Sequence, residues 1–218
     1  LPTKLEEQIP LLERDDEIGL VYSDAFLFNE RGKEKRQFEI TKPYRGDVFS
    51  ELLLTDFINT QTVVIRREAF DSNGELFDER LIQAGDYDAY LKIGYKWKMD
   101  YVDKPLARYR IHRGSKSQRD GRKLVSVELN LMIENLGKTV YGLEDKYPEG
   151  LNAVRRLRDV QSSLLDWENG DKKKARKRLR AYTRDGVAYF VLYFLMYLPY
   201  RYVYRSCQRI YTKGILVE

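Results

Sequence analysis

Apolar positions repeat with two different periods along this chain, and the change between them divides it. In residues 3–14, TKLEEQIPLLER, Leu5, Ile9 and Leu12 share one face, which predicts a short amphipathic helix with Pro10 as a point of bending. Asp15-Asp16 marks a turn, and the run EIGLVYS at 17–23 predicts a buried strand ending at Ser23 and Asp24. AFLFNERGKEKRQF continues as a strand, a turn at Asn29–Gly32 and a polar return. A short helix is expected over Asp47–Leu54, a strand centred on Thr62–Ile65, and a helical turn over Glu68–Ser72. Behind Gly85, Ala89, Ile93 and Trp97 recur every fourth residue, a helix start. Lys98–Val102 and Leu106–Ile111 then read as two strands around a turn at Asp103-Lys104-Pro105, an antiparallel pair. Strands separated by helices predict an α/β fold. From Ser115 onward only helical periods remain: one over 122–137, then 151–168 and a basic 171–184, the last two forming a helical hairpin. The hairpin is faintly like one tetratricopeptide repeat, too little to stand alone.

Charge sharpens this division. Residues 171–218 hold 12 Lys/Arg against 3 Asp/Glu, whereas residues 1–170 hold 27 against 31. A mildly acidic body thus carries a strongly basic tail, which points to an anionic surface, either membrane headgroups or nucleic acid. The single cysteine, Cys207, excludes an internal disulfide. The single histidine, His112, excludes a His-rich metal site, so any metal must use carboxylates plus that one imidazole.

Residues 187–199, VAYFVLYFLMYLP, are uncharged and apolar on every side. They are too short to span a bilayer, which needs about 20 residues. With RYVYRSCQRIYTK following, the segment suits a membrane interface; the alternative is a buried core helix with a solvated tail.

The chemistry concentrates in LFDERLIQAGDYDAYLKIGYKW, residues 76–97. Asp86 and Asp88 stand at the start of the helix. An Asp there caps free N–H groups and is favoured by the helix dipole. A carboxylate on such a turn also serves as a general base. Capping and catalysis both remain open on these residues alone.

Four segments in order carry a resemblance: GLVYSD, INTQTVVIRREAF, GELFDERLIQAGDYDAYLKIGYKW and PLARYRIHRGSKS. Together they resemble glycosyltransferase family 2, inverting enzymes of the GT-A fold that use nucleotide-diphosphate sugars. The resemblance spans about residues 3–118, and LPTKLEEQIPLLE looks like the helix that follows the family's metal-binding Asp-x-Asp motif. It implies a partial GT-A, Rossmann-like sheet followed by an all-helical C-terminal region. It also implies that Asp86 is the general base on the acceptor hydroxyl, with Gly85 where the family has glutamate. Asp88 matches the family's second aspartate, and His112 the histidine that helps hold a divalent metal, Mn²⁺ or Mg²⁺. Tyr109 and Arg110 flank that histidine, Thr60 and Gln61 lead toward the acceptor side, and Asp24 ends its strand where α/β sites lie. Without the resemblance, His112 reads more readily as a surface or hydrogen-bonded histidine.

The resemblance implies a nucleotide-diphosphate sugar donor, UDP-sugar being the commonest, and a glycan or lipid-linked acceptor. The family's donor half with its Asp-x-Asp is not in this chain, and Asp15-Asp16 does not stand in for it, because it follows the helix it should precede. The chain alone is therefore expected to have little or no transferase activity. The expected layout is the acceptor half of the domain at 1–118, a helical hairpin region at 119–185, and an aromatic, basic interface helix and tail at 186–218. Residues 187–213 would dock a cytoplasmic protein on the inner face of the cell membrane. The alternative is a non-catalytic module whose basic helices contact membrane or nucleic acid. Nucleic acid is disfavoured, since no recognised nucleic-acid fold surrounds the run DKKKARKRLRAYTR.

Overall fold

The computed structural model describes residues 1–30, 32–112 and 121–203, with the backbone alone for 121–125. It is an α/β structure in which a mixed four-stranded sheet is followed by helices, as the sequence pattern predicts. β1 (Ile18–Asn29) is the central strand. β2 (Glu34–Arg36) and β3 (Val64–Ile65) pair antiparallel with one edge of it, β3 near its start and β2 near its end. β4 (Lys98–Ile111) runs parallel along the other edge. Helix α1 (Lys4–Arg14) packs on this sheet through Leu12 and the buried Gln8, whose amide donates to the carbonyls of Val21 (3.1 Å) and Thr62 (2.7 Å).

Two expectations fail here for one reason. Lys98–Val102 and Leu106–Ile111 are not an antiparallel pair; they are one continuous strand, and Asp103–Pro105 lies within it. Nor does β1 end at Asp24, which pairs with Pro105 between register shifts on either side. Proline has no N–H for the ladder. The bulge there absorbs the missing donor, so a turn signal became an irregularity inside a long parallel pair.

The main core joins Leu20 and Tyr22 of β1 to α2 (Phe49–Leu54) and α4 (Gly85–Lys96). The short α3 (Arg67–Asp71) adds Ala69. α5 (Gly121–Thr139) contributes Leu129, Met132 and Leu136, and the four-residue α6 (Leu143–Lys146) contributes Leu143. α7 (Pro148–Glu168) begins in this core with Leu151 and Val154 and ends in a second cluster at Trp167. Its first turn sits hard against α2: a Cβ on Gly150 would lie 2.6 Å from Leu53 Cβ, so only glycine permits that approach. The second cluster adds Ala175 and Leu179 of α8 (Lys172–Leu179), together with Met196 and Val203. α9 (Val187–Leu195) lays Tyr189, Leu192 and Tyr193 on it and leaves Val187, Phe190, Val191 and Phe194 exposed. The core reading of 187–199 therefore holds for one side of that segment, and the other side is an exposed apolar face. Among the described residues no helix is long and apolar enough to cross a membrane. Residues 113–118 and 204–213, with Cys207, lie outside the described residues.

Candidate active site

The start of α4 divides its two carboxylates between two faces. Neither caps the helix: the N-cap is Ala84, and Asp86 and Asp88 both lie in the first turn. Asp88 points inward and is fully buried. Lys92 Nζ lies 2.8 Å from its Oδ2, and Asn135 Nδ2 of α5 lies 3.3 and 3.4 Å from its two oxygens. Desolvation holds the Asp88 carboxyl above its ordinary range, while Lys92 pulls it the other way. Lys92 also donates to the carbonyls of Glu75 (3.2 Å) and Leu76 (3.1 Å), and Asn135 to Asp78 Oδ2 (3.1 Å). Asp88 is thus a structural anion joining α4, α5 and the 75–80 loop, not an acceptor contact.

Asp86 turns outward. Its Oδ2 accepts the Thr60 hydroxyl at 2.5 Å, and its Oδ1 accepts its neighbour's N–H, that of Tyr87, at 2.9 Å. Thr60 also hydrogen-bonds Tyr90, one turn along α4. Thr60–Thr62 is a 3₁₀ turn and not the opening of a strand, because Asn59 Oδ1 accepts Gln61 N–H at 3.1 Å and Thr62 Oγ1 closes on Asn59 O at 2.7 Å. That turn presents Thr60 toward Asp86 and leaves Gln61 exposed. Gly85, the first residue of the helix, has no crowding closer than Leu81 Cβ at 3.7 Å.

Two residues that the sequence reading passed over complete the site. Glu128 of α5 is buried, and its carboxylate accepts three consecutive N–H groups, from Ile82 (3.0 Å), Gln83 (2.9 Å) and Ala84 (2.8 Å). It holds the loop that delivers Asp86. The second is Asp56, just past α2. The residue is exposed, and desolvation first and the Asp86 charge second push its carboxyl up to about 7. Both carboxylates open on a trough of about 390 Å³. Its walls are mainly apolar, with Leu53, Leu129, Val154 and Val160 among them.

Other expected site residues lie elsewhere. Asp24 is a correction: it sits inside β1, fully buried, and its carboxylate accepts Arg36 Nε (2.5 Å), Phe38 N (2.9 Å) and Ala25 N (2.8 Å). It fastens β2 to β1 and offers no free oxygen to a substrate. Tyr109, Arg110 and His112 stand at the far end of β4, where Ile111 pairs with Asn29, and Arg110 lies 3.7 Å from Glu30. Among the described residues no three His, Cys, Asp or Glu side chains converge on a metal position. His112 would be a single ligand, and the described residues do not make a cation site by themselves.

The basic run is partly neutralised within the molecule. Lys174 (2.8 Å) and Arg178 (3.0 Å) both pair with Asp166, and Arg176 lies over the Tyr197 ring at 4.0 Å. The expected helix over 171–184 is shorter, with α8 ending at Leu179 and a 3₁₀ turn following over Arg180–Tyr182.

No family model matches the chain. It is 25% identical over 112 residues to an uncharacterized glycosyltransferase of Methanocaldococcus jannaschii, a match covering 51% of this chain and 38% of that protein. The chain thus spans well under half the length of that relative. This partial likeness points to a glycosyltransferase family and supports a role in glycosyl transfer.

Proposed function

We propose that the chain is the acceptor-side part of an inverting glycosyltransferase of family 2, with Asp86 as general base. The observation that carries this is Asp86 itself, a carboxylate at a helix start, oriented by Thr60 and open on a trough, in a chain resembling a glycosyltransferase. Asp86 takes the proton from an acceptor hydroxyl as its oxygen bonds to the anomeric carbon of a nucleotide-diphosphate sugar, a UDP-sugar on this reading. The bond from that carbon to the diphosphate oxygen breaks, and the nucleotide diphosphate leaves with the electron pair. A single base suffices, because inversion needs no enzyme nucleophile. Bound Mn²⁺ or Mg²⁺ would neutralise charge on the departing diphosphate. His112 is this chain's candidate ligand for it.

The acceptor is a glycan or lipid-linked hydroxyl compound. The exposed aromatic side of α9 docks the protein on an anionic leaflet, on the inner face of the cell membrane. Residues 186–203 contain no acidic side chain that such a surface would repel.

The test is Asp86→Asn in the full-length native protein. Transfer should fall about 10²–10⁴-fold, the usual contribution of a general base, with the melting temperature unchanged. Transfer within about threefold of wild type would remove Asp86 from the role.

A further inference from the structure

We propose, resting on Asp86 as the base, that the acceptor is an amphiphile: a hydroxyl-bearing head at Asp86 on an apolar chain that follows the trough between α2 and α7 toward α9. The trough combines two chemistries. Asp56 and Asp86 both line it, so a hydroxyl group there can be oriented and deprotonated. The rest of its lining is mainly apolar, with Leu53, Leu54, Val154, Leu157 and Val160 beside the polar Thr55, Gln83 and Arg156. Against the apolar part of that lining a second or third sugar ring would give up water without replacement. A hydrocarbon chain there gains about 25 cal/mol for each Å² removed from water.

The trough also leads toward the exposed apolar side of α9. Tyr189 of that helix lines it, and the neighbouring Phe190 and Val191 are open to solvent. Arg156 lines the trough beside Tyr189, 3.4 Å from Asp185 and 5.7 Å from the Tyr189 ring centroid. A chain held in a lipid surface against α9 would therefore have an apolar path to the base. A free, water-soluble saccharide is the competing occupant, and it would leave most of this wall without a purpose.

The test reads binding to the full-length native protein without donor, by titration calorimetry. The probes are n-dodecyl β-D-glucoside below its micelle concentration and free glucose. Dodecyl glucoside should bind at least about tenfold more tightly than glucose. Leu157→Asp should abolish that advantage, since Leu157 is already 42% exposed and tolerates a polar side chain. Leu54→Asp, at 58% exposure on the other wall, repeats the test if Leu157→Asp fails to fold. Val127→Asp, 61% exposed on the opposite side of α5, should change nothing. Equal binding of the two probes overturns the proposal, as does a folded Leu157→Asp or Leu54→Asp protein with full binding. Transfer by Asp86→Asn tests the base, whereas binding of the two probes to the protein with Asp86 in place tests the acceptor, so failure of the amphiphile proposal and failure of the base assignment give different results.

Discussion

Replacing Asp88, two residues from the proposed base, separates the two carboxylates by role. The Asp88 side chain is fully buried, and Lys92, with its side chain 9% exposed, lies 2.8 Å away. At that distance and an effective dielectric of about 20, the direct attraction is about 6 kcal/mol. Desolvating the two ions costs several kcal/mol each, so the intact pair contributes little net stability. Breaking it is a different matter. In Asp88→Ala the Lys92 ammonium keeps only the carbonyls of Glu75 (3.2 Å) and Leu76 (3.1 Å), and Asn135 keeps only Asp78 (3.1 Å). Leaving one buried charge uncompensated costs about 3–5 kcal/mol. That is a large part of the roughly 5–15 kcal/mol that holds a domain together. Urea unfolding followed by circular dichroism checks it: the midpoint should fall by roughly 1–3 M with the slope unchanged. Asp88→Leu combined with Lys92→Met should regain most of the loss, because it removes both charges. Asp86→Asn should stay within about 0.5 kcal/mol of wild type. A cost below about 1 kcal/mol for Asp88→Ala, or a double variant as unstable as the single one, would refute the reasoning.

Two further outcomes follow from the neighbouring carboxylates. Glu128→Gln keeps one acceptor oxygen, which serves Gln83 and Ala84 as Oε2 does, but turns its amide donor toward the Ile82 N–H, so stability should fall by about 1–3 kcal/mol in the same urea assay, and transfer should fall with it. A change under about 1 kcal/mol would show that the 82–84 loop holds itself in place. For Asp56 the sign is set by its raised value of about 7 against about 3.9 in the unfolded chain. Between those values the folded state holds a proton that the unfolded state has lost, so stability falls as pH rises through this window. Asp56→Asn removes that slope, and its melting temperature should gain on wild type from pH 5 to pH 8; parallel curves would contradict the assignment.

Much of the architecture was legible along the chain because it is local. The 3.6-residue period of Leu5, Ile9 and Leu12, and that of Ala89, Ile93 and Trp97, mark helices; Leu12, Ala89 and Ile93 are buried as expected, whereas Leu5 and Ile9 are exposed and Gln8 takes the inward position on α1. The α/β alternation and the helical second half are visible the same way, since a period is a property of neighbours in sequence. The pairing of strands is not. Asp103-Lys104-Pro105 has the composition of a turn, and only the presence of β1 alongside turned it into a bulge. The same limit applies to Asp24, whose place in the sequence suits a strand end and whose ion pair with Arg36 forms only once β2 folds back.

At the candidate site the sequence by itself determined that two carboxylates begin a helix, and it could not say which faces in. Residues two apart on a helix point to different sides, and the side that becomes interior depends on where α5 packs, far along the chain. That packing buries Asp88 against Lys92 and Asn135 and leaves Asp86 to Thr60 and the trough. Glu128 and Asp56 were invisible for the same reason: neither has a local motif, and their meaning comes from contacts with residues roughly 30 to 45 positions away. Periodicity and turn chemistry therefore decided the elements, whereas the tertiary structure decided which charges are buried and paired and which are left facing a ligand.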